Sequence, residues 1–570
     1  MKHYKNSLYR RSIIQLDKTD RINLIVITFT WAIAIILVNP IGDFPLNDDW
    51  AYARSVKLLL ETGNFQLPGW AVANLLPQAL WGALFCLPFG FSFTALRFST
   101  LVLGWIGIVA TYLLLKEFAS PQRLALIGTL LVAINPVYFC LANTFMTDVP
   151  HYAITVLSLY FYVVGIKKKS LPTIILALFI AIISFLIRQL TVALFAGYAI
   201  AYIVHYKAKI SSIVTASILF LIVPIGTQKV FSEIFWPKNF GNYGVKEQEV
   251  VSQLTYVNPE AITSFVYFFL CTLLYLGCFL LPIAVVSFGV KLKSTKTRFA
   301  KSLLISLFLF ISTTIGIWLG MKGETMPIRG NLLIDWGLGP LTLRSTILSP
   351  SPIPNNLEPF WFIVTIFAAV GAGLLSIFIA LSIIEFLFNR TESRERKSLT
   401  LLNNSTAFIY FLPLGLGYFF DRYLLLLLPL TIVMMLTGIG KINGSKFDLK
   451  TNLITLLSIA LIGIFTIGIT HDYLSWNRVR WQALNDLMQQ DIALNRIDGG
   501  FEFNGWYLYD PEYPIYSRRG KNVPWWWVEE DEYIVDFDKI AGYDVVKQYP
   551  LKNWFPFLSD RILVLQKSPT

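Results

Sequence analysis

The sequence predicts a polytopic α-helical membrane protein of about 13 transmembrane helices with a small C-terminal α+β domain on the outer face. Three observations carry that prediction. Of 570 residues, 55% are hydrophobic and 14% charged, with a mean hydropathy of +0.59. The apolar residues come in repeated runs long enough to cross a hydrocarbon layer roughly 30 Å thick, and a backbone in lipid must satisfy its own hydrogen bonds, which makes such runs helices. Residues 471–570 then change character: acids slightly outnumber bases, aromatics crowd into "FEFNGWYLYDPEYPIY" and "PWWWVEEDEY", and the short segments "YIVDF" and "RILVLQK" pattern as strands.

Charge orders the spans. The formal +12 resides mainly in short loops between apolar runs, where Lys and Arg mark the cytoplasmic side; no nucleic-acid partner follows from it. Cationic stretches lie at Lys2 to Arg21, around Lys116 and Arg123, at Lys167 to Lys169, at Lys207 and Lys209, from Lys291 to Lys301, in "NRTESRERK" at 389–397 and from Lys441 to Lys450. The basic start precedes an apolar run with no small-residue cleavage site, so an uncleaved first span with a cytoplasmic N-terminus is expected. An even number of crossings must separate it from Lys116, yet three apolar candidates are present, 22–40, 72–90 and 94–116. The one that does not cross is 72–90, "VANLLPQALWGALFCLPFG", which holds Asn74, Pro77, Gln78 and Pro88 and reads as an interfacial helix. The opening outer loop is therefore 41–93.

Alternation gives further spans at 124–142, 150–166, 171–187, 190–205, 210–228, 262–289, 302–320, 361–388, 401–419, 424–440 and 451–470. The break at Arg188–Gln189 keeps an arginine out of mid-bilayer. An odd total places the C-terminus outside, dividing the chain into a membrane domain over 1–470 and an outer domain over 471–570. Cys86, Cys140, Cys271 and Cys278 lie in apolar surroundings without metal-ligand spacing and read as packing residues. His151 and His205 lack partner spacing as well.

The outer face then collects the opening loop with Asp48 and Asp49, Asp148 in "NTFMTDVPHY", Arg188, the loops 235–256 and 321–360, and "FFDRY" at 419–423. Acids that converge from successive loops point to a site. The stretch "NDDWAYARSVKLLLETGNFQLPGW" with "LLPQALWGALFCLPFGFSFTALRFST" resembles the first outer loop of GT-C membrane glycosyltransferases, the group of protein O-mannosyltransferases and lipid A aminoarabinose transferases. Asp48, Asp49, Tyr52, Ala53, Pro68, Pro77, Gly90, Ser92 and Arg97 fit its pattern in order. The resemblance covers roughly residues 40–165 and extends to Asp148 as a second outer aspartate and to Arg422, Tyr423 and Pro429 as an "RY" turn. It departs where the aminoarabinose transferases carry a Lys, because Asn74, Leu75 and Leu76 stand there.

The resemblance implies a GT-C fold and transfer of a sugar from a polyprenyl-phosphate donor to an envelope glycan, lipid or protein on the outer face of the plasma membrane, with inversion. Asp48 is the expected base, with Asp49 and Asp148 as further catalytic acids. Arg188 and Arg422 are the expected donor-phosphate cations, with Lys322, Arg329 and Arg344 in reserve, and Asp48 and Asp148 would hold a divalent metal ion if one is used. Competing roles are plain. Asp48 and Asp148 stand where helix caps stand, Arg188 can snorkel, Arg422 can pair with Asp421, and Trp525 to Trp527 read as an aromatic cluster or interfacial anchor. A polyprenyl-linked glycan polymerase or ligase is the nearest alternative enzyme; a transporter or flippase lacks support in mid-span charges or an internal repeat.

Overall fold

A computed structural model describes residues 16–71, 73–119, 122–235, 259–348, 357–388, 393–439, 449–510, 526–528, 530–556 and 559–569. The loop 235–256 from residue 236 on, the cations Lys2, Lys5, Arg10 and Arg11, the loop from Lys441 to residue 448, and Trp525 lie outside them.

Every segment expected to span the membrane is mainly helical where described. Among the described residues nine helices are long and apolar enough to cross, ten when the bent pair Gln122–Ala133 and Pro136–Ala142 counts as one. That pair turns by 60° where Asn135 caps the second piece and Pro136 removes an N–H. Leu171–Ile187 and Gln189–His205 are shorter, and Arg394–Gly415 begins among polar residues. These three account for the difference from thirteen.

The chain opens with α1 (Lys18–Val38), capped reciprocally by Asp17 and Asp20. Asp20 is fully buried, where it pairs with Lys116 and accepts from the Tyr112 hydroxyl at 2.8 Å. This fixes the basic ends of the first two spans together. Beyond α1, Arg97 donates to the carbonyls of Pro40, Gly42 and Phe44 at 2.6, 3.0 and 3.0 Å, folding the start of the opening loop over the head of the second span, Phe93–Lys116.

That loop carries α2 (Asp49–Thr62), closed by Gly63 at φ +71°, and α3 (Leu76–Cys86). Eleven residues of helix reach only about 16 Å, so α3 cannot cross a bilayer of roughly 30 Å. In a cysteine-free background, single cysteines at Phe89 and Asn64 are expected to label from the same side of the membrane. Labelling from opposite sides would contradict the assignment of one continuous outer loop.

Deeper in the membrane, Asp148–Lys168 packs on Leu171–Ile187 with hydroxyls between, as in Thr155 with Ser184 at 2.6 Å. The 36-residue helix Pro259–Ser294 crosses Glu358–Phe388 at Gly277 and Gly371, where a Cβ on Gly277 would strike the backbone of Ala372. Only glycine lets those backbones touch.

The last long helix, Leu449–Met488, has 40 residues and spans about 60 Å, twice what the bilayer needs. It runs without a break through 471, so the expected domain boundary falls inside a helix. Beyond the two-residue strands β1 (Leu333–Ile334) and β2 (Gly337–Leu338), its C-terminal half carries a four-stranded sheet of β3 (Ile497–Asp498), β4 (Tyr533–Asp536), β5 (Tyr543–Pro550) and β6 (Arg561–Lys567) in the order β3-β4-β6-β5. The β3–β4 pair is parallel and the others antiparallel. Trp476 on the helix meets Phe537 beyond β4 edge to face at 5.2 Å. Between β3 and β4 in sequence comes the short helix Phe501–Leu508, whose Gly505 and Trp506 carbonyls accept from Arg54 of the opening loop.

Candidate active site

Asp48 ends an irregular turn and begins α2. Its side chain makes no capping hydrogen bond; instead Oδ1 accepts from the Trp70 indole at 3.0 Å and Oδ2 stands 3.6 Å from Arg422 Nη1. The capping role is thus not the one the structure gives it. With its side chain 21% exposed, Asp48 is the most accessible of the charged groups gathered here.

Arg422 comes from the "DRY" turn, a 3-10 segment over Asp421–Leu424. Asp421 does not neutralise it. That carboxylate is consumed by the N–H groups of Asn331, Leu332, Leu333 and Arg422 itself, tying the 331–333 loop to the turn. The guanidinium lies 5.4 Å from the rings of both Phe420 and Tyr423. Its Nε and Nη1 are buried without a hydrogen-bond partner among the described residues. Buried guanidinium N–H groups without a hydrogen bond are costly, and an anion reaching them would satisfy them.

Asp148 and Arg188 form the second pair. Asp148 opens its helix and binds Arg188 Nη1, and its Oδ2 is buried without a hydrogen-bond partner among the described residues. Arg188 is reached because Leu171–Ile187 stops there, the residue turning to extended backbone, and its guanidinium sits 4.6 Å over Tyr423. Tyr423 thus lies under both arginines. Tyr52, one turn along α2 from Asp48, feels the charges of Asp48, Arg422, Arg188 and Asp148, while burial raises the pKa of its phenol. Four of the five expected site residues, Asp48, Asp148, Arg188 and Arg422, therefore meet.

Asp49 does not join them. Its carboxylate is 1% exposed and accepts from Leu46 N at 2.6 Å and Phe145 N at 3.2 Å, so it ties the opening loop to the loop before Asp148. Neighbours on a helix diverge by about 100°, and one of the two acids had to face inward. Burial raises its pKa to about 8, against those two N–H donors and the charge of Arg97. An acid whose folded pKa exceeds its unfolded value near 3.8 holds an extra proton when native. Its contribution to stability is full below about pH 4 and is lost as pH rises to about 8. Asp49→Asn is expected to flatten the decline of thermal unfolding temperature between about pH 5 and 8; an unchanged slope would assign the decline to another group.

The reserve cations are elsewhere. Arg344 is held by Asp498 and Asp531 at 2.6 and 2.8 Å, and Lys322 and Arg329 are exposed. His151 bonds Thr191 at 3.0 Å, and all four cysteines are free thiols. Among the described residues no three His, Cys, Asp or Glu side chains converge as metal ligands. Asp48 and Asp148 each face a guanidinium, so this donor set does not fit a divalent ion.

Trp70 was not foreseen as a site residue. It touches Trp50, Phe501, Trp526 and Trp527 with ring centroids 5.4–6.1 Å apart, so the aromatic run of the C-terminal domain closes against the opening loop. Its signal in the sequence was the Gly69-Trp70 pair following Pro68.

Residues 77–228 match the family model described as dolichyl-phosphate-mannose-protein mannosyltransferase. No curated protein sequence matches the chain significantly. Among solved structures, ArnT from Cupriavidus metallidurans bound to undecaprenyl phosphate aligns with a TM-score of 0.39 at 12% identity, covering 96% of this chain and 99% of that one. The apo form of the same enzyme gives 0.37 and 13% over the same shares. The family match includes Asp148 and Arg188 and overlaps the stretch that carries the sequence resemblance.

Proposed function

We propose that this protein transfers a sugar from a polyprenyl-phosphate donor to a hydroxyl of an envelope glycan, lipid or protein on the outer face of the plasma membrane. The observation that carries the reading is the Asp48–Arg422 pair, a half-open carboxylate 3.6 Å from a guanidinium whose buried Nε and Nη1 make no hydrogen bond among the described residues. An acceptor hydroxyl needs a base and a departing lipid phosphate needs a cation, and here they stand side by side. The family matched by residues 77–228 is described by a lipid-phosphate sugar of the same class.

In this reading Asp48 Oδ2 takes the acceptor proton as the acceptor oxygen bonds to the anomeric carbon. The carbon–oxygen bond to phosphate breaks in the same displacement, its electron pair leaving with the phosphate, and the anomeric centre inverts. Arg422 and Arg188 stabilise the charge gathering on that phosphate. Asp148 orients Arg188, and Tyr423 supports both guanidinium planes. α3, too short to cross, gives a lipid-borne donor sideways access from the bilayer.

A strain lacking the gene is expected to lose one sugar from a surface glycan, lipid or protein, seen by mass analysis, and to accumulate the lipid-linked donor. Unchanged surface sugars with no accumulation would contradict the reading. Sugar lost together with donor trapped on the cytoplasmic face would favour a flippase.

A further inference from the structure

Glu502, on the helix Phe501–Leu508 of the C-terminal domain, is 1% exposed, yet its partners lie far away in sequence. Oε1 accepts from the backbone N–H of Asn47 at 3.0 Å. Oε2 accepts from Arg480 Nη1 at 2.8 Å and from the Thr342 hydroxyl. Arg480 is fully buried, and its Nε donates to the Gly499 carbonyl at 2.8 Å.

Asn47 is the residue before Asp48. It is buried and sits at φ +56°, in the left-handed region that asparagine adopts more readily than other side-chain-bearing residues. One residue earlier, the N–H of Leu46 is taken by Asp49 Oδ1 at 2.6 Å. The two N–H groups preceding Asp48 are therefore each bound by a carboxyl oxygen, one from α2 and one from the C-terminal domain. The turn they fix is the one that leaves Asp48 uncapped and aims it at Trp70 and Arg422.

We propose that Glu502 is a positioning residue for Asp48, holding the left-handed turn at Asn47 so that transfer depends on the docked C-terminal domain. The proposal rests on Asp48 as the base. Glu502 touches no reacting atom; its effect passes through one backbone N–H.

The test uses the full-length protein in nanodiscs with a polyprenyl-phosphate sugar as donor. Glu502→Gln retains one acceptor oxygen, which Arg480 and Thr342 both attract, so its NH₂ is turned toward the Asn47 N–H. It is expected to lower kcat at least ~10-fold, leave the donor KM within about 2-fold, and speed hydrogen exchange of the amides at 46–49. Glu502→Asp keeps the charge opposite Arg480 and only shortens the reach to Asn47; it should show the same pattern in a protein that elutes natively. Asp536→Asn, which loosens the same domain where Asp536 holds Ser345 N at 2.8 Å, should lower stability without changing kcat or exchange at 46–49. In an Asp48→Asn background Glu502→Gln should add less than about 2-fold, because residues acting as one unit are non-additive.

An unchanged kcat, an unchanged exchange rate at 46–49, or a full additional loss in the Asp48→Asn background would each overturn the positioning role. Normal turnover by Asp48→Asn alone would instead remove Asp48 as base and the catalytic role of Glu502 with it, while the exchange measurement would still report whether the turn is held.

Discussion

Asp48→Asn is expected to lower sugar transfer at least ~100-fold while leaving donor binding intact, the loss falling on kcat. Asparagine keeps the shape of the side chain and an oxygen for the Trp70 indole 3.0 Å away, so the local fold should persist. What disappears is the acceptor of the proton. General-base catalysis contributes about 10²- to 10⁴-fold, which sets the scale. Removing a negative charge 3.6 Å from Arg422 also makes the anion site more positive, so the donor KM should hold or fall. Asp49→Asn should be much milder in turnover, since that carboxylate faces backbone N–H groups rather than the site. Steady-state transfer by purified variants, with folded protein confirmed by monodisperse elution, separates the two.

Arg422→Ala is the second large effect. It removes the guanidinium whose buried Nε and Nη1 make no hydrogen bond among the described residues, and kcat/KM is expected to fall about 10²- to 10³-fold. Contact with phosphate in the ground state appears as a raised KM, and stabilisation of the leaving charge as a lowered kcat. Arg422→Lys keeps a point charge and loses the planar fork that lies against Phe420 and Tyr423, so partial activity is expected. Wild-type kcat/KM in Arg422→Ala would remove this residue from the donor site.

Much of this architecture is written in short-range patterns. The stop at Ile187 was legible because an arginine interrupts an apolar run, and the bend in 124–142 had its signal in Asn135-Pro136. The short reach of α3 followed from counting basic loops and from Asn74, Pro77 and Gln78. Asp48, Asp148, Arg188 and Arg422 were legible as charges stationed at the ends of spans on one face.

What escaped the sequence depends on partners distant along the chain. Asp48 and Asp49 are adjacent acids, and which one faces inward is decided by Phe145, nearly a hundred positions on. Asp421 and Arg422 read as a natural ion pair until the 331–333 backbone claims the acid. The polar run from Asp472 to Arg480 reads as the start of a solvated domain. It remains helix because Asp472 binds the N–H groups of Trp554 and Phe555 and Arg480 binds Glu502, partners no local pattern announces. Asn47 held by Glu502 across 455 positions is the extreme case.

One measurement bears most directly on the site: donor binding and sugar release followed together, with a labelled polyprenyl-phosphate sugar, in wild type, Asp48→Asn and Asp49→Asn. Wild type and Asp48→Asn should bind the donor alike, with release and transfer lost only in Asp48→Asn and largely retained in Asp49→Asn. Near-normal transfer by Asp48→Asn with loss in Asp49→Asn would show that the buried acid, not the half-open one beside Arg422, carries the chemistry.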